Sequence, residues 1–160
     1  MKTKNSQKNK PITTSDRPSK SPNDQAQSPI HTDAFHRLLG FADAEWKGII
    51  RFGRHCGLNL FDCARLNFTN LSHDRRMLLL NVANMKHLLR MPLGPKLTDY
   101  LMTLPIAATP ETPIFPNCKS MDRRGLEMGF NRLMGQAGLD RSRHKFSSLH
   151  FDFGGLQRRR

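Results

Sequence analysis

Acidic residues are scarce in this 160-residue chain, with 13 Asp and Glu against 26 Lys and Arg, for a formal net charge of +13 at pH 7. So large an imbalance on so short a chain points to a polyanionic partner, most often nucleic acid. Long apolar runs are missing. No stretch approaches the roughly 20 residues that span a bilayer, and the N-terminus lacks the apolar core of a signal peptide. The expectation is a cytoplasmic protein with no membrane partner. Cysteine is limited to Cys56, Cys63 and Cys118. An odd, widely spaced set suits a reducing compartment better than a disulfide framework. The step from Cys56 to Cys63 across Gly57 is not a metal-ligand spacing, so both read as small buried apolar groups, with no metal and no cofactor expected. No internal repeat is visible, and the length suits one domain of ordinary size.

What is present falls into unequal parts. Residues 1–28 are almost wholly polar, rich in Lys, Ser, Asn and Pro, with nothing to bury that would offset the entropy of ordering them. They are expected to form a disordered basic tail whose lysines add nonspecific attraction to phosphates. Residues 29–153 carry a globular pattern, and 154–160, "GGLQRRR", form a short basic end. In the globular part "TDAFHRLLGF" predicts a helix with Thr32 as its cap. "DAEWKGIIRFGRHCG" predicts a second, capped by Asp43, packed through Trp46, Ile49, Ile50, Gly53 and Cys56 and ended by Gly57. A brief helix over Phe61 to Leu66 follows. Met77 to Pro92 reads as an antiparallel hairpin, which the segment at Phe68 extends to three strands. "GPKLTDYLMTLP" is a further helix. After a Pro-rich loop, Leu126, Phe130, Leu133, Met134 and Ala137 line one face of a long helix that Ser120 can cap and Gly138 can end. The fold class expected is mixed α+β, mainly helical, with a small three-stranded antiparallel sheet.

One phrase, "GLNLFDCARLNFTNL", followed by a strand hairpin ending in "MPL", a helix, "IFP", a long amphipathic helix ending in "AGL" and then "FSSLHFDF", resembles the catalytic domain of tyrosine recombinases, the phage-integrase family. The resemblance spans about residues 30 to 153 and corresponds to the N-terminal part of that domain. It implies DNA integration and recombination. Such enzymes cleave one strand through a tyrosine that becomes joined to phosphorus, without a metal, while arginines, a lysine and histidines stabilise the phosphoryl oxygens. Arginine suits this role because its planar fork donates two parallel hydrogen bonds to phosphate and keeps its proton.

The site residues that the resemblance implies are mostly replaced. Asn59 stands at the position of the first arginine; it can donate a hydrogen bond but no charge, and loss of such a donor costs on the order of 3 to 4 kcal/mol at a transition state. Asp62 matches an acidic position that helps hold the site together. The hairpin lysine is either Lys86, if the turn is two residues shorter, or is replaced by Asn84 when counted back from Pro92. In "SSLHF", Ser147 falls at the first histidine, His150 at the second arginine and Phe151 at the next histidine. Tyr100, the single tyrosine, lies in the helix after the hairpin and reads as a packing residue. The nucleophile is expected some tens of residues beyond "GGLQRRR", so the chain is read as truncated, even as a frameshifted remnant, and inactive by itself. The segment from Phe146 to Phe153 is then expected to be poorly covered. DNA binding through phosphates survives, with Arg54, Arg65, Lys86, Arg90, Arg143 and Lys145 as candidate contacts to duplex DNA. Self-association or pairing with a full-length recombinase are possible partnerships. Two alternatives stay open: an active strand-transfer enzyme completed in trans, and an unrelated basic nucleic-acid-binding protein.

Overall fold

Trp46, Ile49, Ile50, Phe52 and Cys56 recur on so many sides of one helix that it must be surrounded rather than laid on a surface, and all five are buried. In a computed structural model that describes residues 27–81 and 88–150, this helix, α2 (Ala44–Cys56), lies at the centre. The Asp43 side chain caps it by accepting from the Trp46 amide at 2.9 Å. Gly57 ends it in the left-handed region at φ 66°, where a Cβ would be strained. Around α2 pack α1 (Thr32–Phe41), α3 (Leu60–Ala64), α4 (Pro95–Met102), α5 (Pro116–Lys119) and a 3₁₀ turn at Phe146–His150. The long helix α6 (Arg123–Gln136) packs against α1 and α3 and buries Leu126, Phe130, Leu133 and Met134.

The chain is mixed α+β, with an antiparallel pair of strands, β1 (Met77–Asn81) and β2 (Leu88–Pro92), in the register Met77 to Pro92, Leu79 to Arg90 and Asn81 to Leu88. A third strand is not formed among the described residues. Asn67 accepts from the Thr69 amide at 3.0 Å, and the Asn70 side chain accepts from the Asn67 amide at 3.0 Å. This reciprocal pair closes Phe68–Asn70 into a 3₁₀ turn, overriding the strand preference of Phe and Thr. What remains of the pairing is a single bridge, Leu71 to Leu78, with the Asn70 side-chain Nδ2 donating to the Leu79 carbonyl at 3.1 Å.

Three helix boundaries also differ from expectation. Thr32 is the first helical residue of α1, not its cap; the cap position is His31, whose side chain makes no capping hydrogen bond to the helix start. Asp122, not Ser120, caps α6, accepting from the Gly125 amide at 2.7 Å, while the Ser120 hydroxyl donates to the Asn117 carbonyl and closes α5. The brief helix runs Leu60–Ala64 rather than Phe61 to Leu66. Gly138 does end α6, at φ 68°, with the Leu139 amide donating back to the Met134 carbonyl at 2.9 Å. Asp43, Gly57 and the apolar face of α6 are as the sequence predicts.

The end of the globular part is covered, against expectation. Phe146 and Leu149 are buried because two distant segments close over them. Residues 28–30 pair with this segment, through the Ser28 amide to the Arg143 carbonyl (3.1 Å) and the Ile30 amide to the Ser148 carbonyl (2.9 Å). From the other side comes α2, where Gly53 lets the backbone approach the Phe146 ring: a Cβ there would lie 2.6 Å from its Cζ. Phe151 and the rest of that expectation lie outside the described residues.

Two glycine substitutions should therefore move stability in opposite directions. Gly53→Ala gains about 1 kcal/mol of helix propensity, but the Phe146 ring is held edge-on to Phe130 at 5.1 Å and cannot yield freely. A net loss of about 1 to 2 kcal/mol is expected. Gly40 in α1 has open space around it, so Gly40→Ala should gain up to about 1 kcal/mol. Denaturant midpoints of the two variants test this; equal shifts of the same sign would refute the close contact.

Candidate nucleic-acid interface

The sequence turns sharply at Gly57, and Asn59 opens α3 immediately afterwards. Its side chain answers both needs of that helix start: Oδ1 accepts from the Asp62 amide at 2.8 Å, and Nδ2 donates to the Asp62 carboxylate at 2.6 Å. Asn59 and Asp62 thus form a reciprocal cap. The neutral amide has a structural task, and Asp62 holds it in place.

Beside this cap, between α3, α6 and the Phe146–His150 turn, lies a cavity of about 590 Å³. Asn59, Ser147 and His150 all line it, although Leu58 and His150 are 92 positions apart. Arg123, Arg141 and Lys145 line it too, with Glu127 as an opposing charge. Its floor includes Phe130 and Phe146, which are buried and packed edge to face. His150 donates from Nε2 to the Leu58 carbonyl at 3.0 Å, because a carbonyl oxygen only accepts. In the neutral ring Nδ1 is then an acceptor. With Nε2 so engaged, the neutral ring offers no second N–H to a phosphate oxygen. His144 is fixed the opposite way, with Nδ1 on the Ser28 carbonyl at 2.9 Å.

The candidate DNA contacts separate clearly. Lys145 is exposed and lines the cavity. Arg65 is exposed and stacks on Phe61, 3.8 Å from the ring centroid. Arg90 is exposed on β2, away from the cavity. Arg143 is exposed and pairs with Asp140 at 3.6 Å. Arg54 is a correction: it is buried, donates to the Ile30 carbonyl and sits over the Phe35 ring at 4.8 Å, so it is a core cation rather than a surface contact. Lys86, Asn84 and Phe151 lie outside the described residues. Arg123 and Arg141 join Lys145 at the cavity only through tertiary packing, since charge in a helix such as the one holding Arg123 is usually a solvated face. The spacing of Phe61 and Arg65, four apart on a short helix, is the one local signal that marked an organised cation.

Tyr100 has the chemistry of a packing residue. Its hydroxyl donates to the Ala44 carbonyl at 3.1 Å, it does not line the cavity, and burial pushes the phenol up to about 12, with Arg51 opposing. The thiols are similarly unreactive: burial pushes Cys56 and Cys118 up to about 12 and Cys63 well above its ordinary range. No helix among the described residues is long and apolar enough to cross a membrane. No family model matches the sequence, and neither the curated proteins nor the solved structures contain a match.

Two measurements follow. Asn59→Ala should lower stability by about 1 kcal/mol through loss of the cap, read from denaturant unfolding; no change would remove Asn59 from that role. Ultraviolet titration of the single tyrosine should give a midpoint near 12 in the folded chain. Because the folded value is raised, this contribution is fully present below the unfolded value of about 10 and is lost as pH rises from there through the folded value. A midpoint at 10 in folded protein would contradict it.

Proposed function

We propose that this chain is a tyrosine-recombinase-like DNA-binding domain that holds the phosphate backbone of duplex DNA at the cavity beside α3, without cleaving it by itself. The observation that carries this reading is the meeting of Asn59, Ser147 and His150 in one cavity. Those are the positions at which the resemblance implies phosphate-holding groups, and they come from segments far apart in the chain. Chance similarity of local phrases does not require such convergence. The cations Arg123, Arg141 and Lys145 at the same cavity supply the charge that a phosphodiester needs.

The reading stops short of strand cleavage on chemical grounds. Of the groups placed at the cavity by the resemblance, Asn59 carries no charge and is engaged as a cap, Ser147 is a hydroxyl, and His150 is a donor to phosphate only when protonated. Within these 160 residues the one phenol, Tyr100, keeps its proton and is bonded away from the cavity. An in-line attack on phosphorus needs an activated nucleophile beside stabilising cations, and this arrangement joins neither to the other.

Fluorescence anisotropy with a mixed-sequence duplex should show binding that weakens steeply with salt, by about 40-fold between 50 and 200 mM if three phosphates are neutralised. Incubation with a suicide duplex should leave no covalent adduct on a denaturing gel. Salt-insensitive binding would remove the phosphate reading, and an adduct mapped to Tyr100 would remove the claim of inactivity.

A further inference from the structure

The Phe61 ring, which helps line the cavity, carries two arginines, of which Arg123 also lines the cavity and Arg65 does not. Arg65, from the end of α3, has its guanidinium carbon 3.8 Å from the Phe61 centroid, and Arg123, from the start of α6, lies 4.9 Å from the same point. Both are exposed, and neither has a carboxylate within 4 Å among the described residues. Asp62 on α3 and Asp122 at the start of α6 are the nearest acids in sequence, but Asp62 is engaged by Asn59 and Asp122 accepts from the Gly125 amide as the cap of α6, while Glu127 lines the cavity. The two centroid distances keep the positive charges within one Debye length of each other, about 10 Å at 0.1 M salt. Like charges so placed repel, while the ring face attracts each of them. A bound anion relieves the repulsion.

We infer that Arg65 and Arg123, held on Phe61, form a preorganised clamp for a backbone phosphate of DNA. This rests on the reading of the cavity as a DNA-binding site and specifies what that site grips. It also supplies charge where Asn59 provides none: two guanidiniums stand on Phe61, one from the end of α3 and one from the start of α6, with Phe61 and Arg123 on the cavity wall. The ligand class is a phosphodiester rather than a base. A stacking base would compete for the Phe61 ring with guanidiniums already 3.8 and 4.9 Å from its centroid, and Phe130 and Phe146 are buried against each other. Holding each guanidinium on a ring reduces the rotamer freedom lost on binding, which an unsupported surface lysine does not do.

The test compares Arg65→Gln, Arg123→Gln and Phe61→Leu with Lys96→Gln, an exposed cation on α4 outside the cavity. The probes are a short mixed-sequence duplex and single-stranded oligo(dT). Each arginine variant should lose about tenfold in duplex affinity at 0.1 M salt and lower the salt slope by about one, while Lys96→Gln changes affinity less than twofold. Phe61→Leu keeps every charge but frees both guanidiniums, and should lose about threefold or more with its far-ultraviolet spectrum intact. The arginine variants are exposed on the surface and keep the test decisive if Phe61→Leu does not fold. Duplex binding by the wild-type chain with arginine variants no weaker than Lys96→Gln overturns the clamp alone. No salt-dependent duplex binding by the wild-type chain overturns the cavity reading and the clamp with it. Preference for oligo(dT) over duplex, lost in Phe61→Leu, overturns the clamp in favour of base stacking.

Discussion

Enclosing α2 on nearly every side is the constraint from which the other packing follows. An amphipathic helix needs one covered stripe, but α2 buries Trp46, Ile49, Ile50, Phe52, Arg54 and Cys56 together, so neighbours must approach from all directions. The close approach to Phe146 depends on Gly53 having no side chain. A buried cation depends on partners, and Arg54 has the Ile30 carbonyl and the face of Phe35. Removing its charge without filling the space would leave that carbonyl unpaired in the interior, one of the larger single penalties a core can suffer. The segment around Ile30 is in turn tied to Ser148. The first and last described segments therefore meet over the same helix.

That closure also builds the cavity. The Phe146–His150 turn is carried to the side of α3 by packing on α2, and the bond from His150 to the Leu58 carbonyl fixes it there. Asn59, one residue further on, caps α3 and so sets where Phe61 and Arg65 project. Local geometry at the helix start and long-range packing at the turn are independent causes that meet in one place. The cavity's chemistry follows from them: an amide and a hydroxyl from the positions that the recombinase resemblance singles out, with positive charge contributed from α6 and the turn before Phe146.

On the proposed tyrosine-recombinase-like reading, phosphate binding and strand cleavage make different demands on the site. Phosphate binding needs charge within reach and tolerates many arrangements, a demand that the proposed reading assigns to Arg123, Arg141 and Lys145. Phosphoryl transfer needs a nucleophile in line and donors aimed at developing charge. Tyr100, bonded to Ala44 and outside the cavity, is in the wrong place for that. The same residues can therefore support the first activity without the second.

Features set by neighbours in the chain were legible without a structure. Asp43 before an apolar run, Gly57 and Gly138 after one, and the spacing of Leu126, Phe130, Leu133 and Met134 act within a few residues, where chain geometry leaves few options. The hairpin was legible for the same reason. Where two local preferences competed, the sequence misled: Asn67 and Asn70 turned a strand-like phrase into a 3₁₀ turn, and Asp122 displaced Ser120 as the cap. Contacts between distant segments were not legible at all. Burial of Arg54, coverage of Phe146 by residues near Ile30, and the meeting of Phe61, Arg65 and Arg123 were decided only by tertiary packing, because nothing in the spacing of residues records which faces will be brought together once α2 is enclosed.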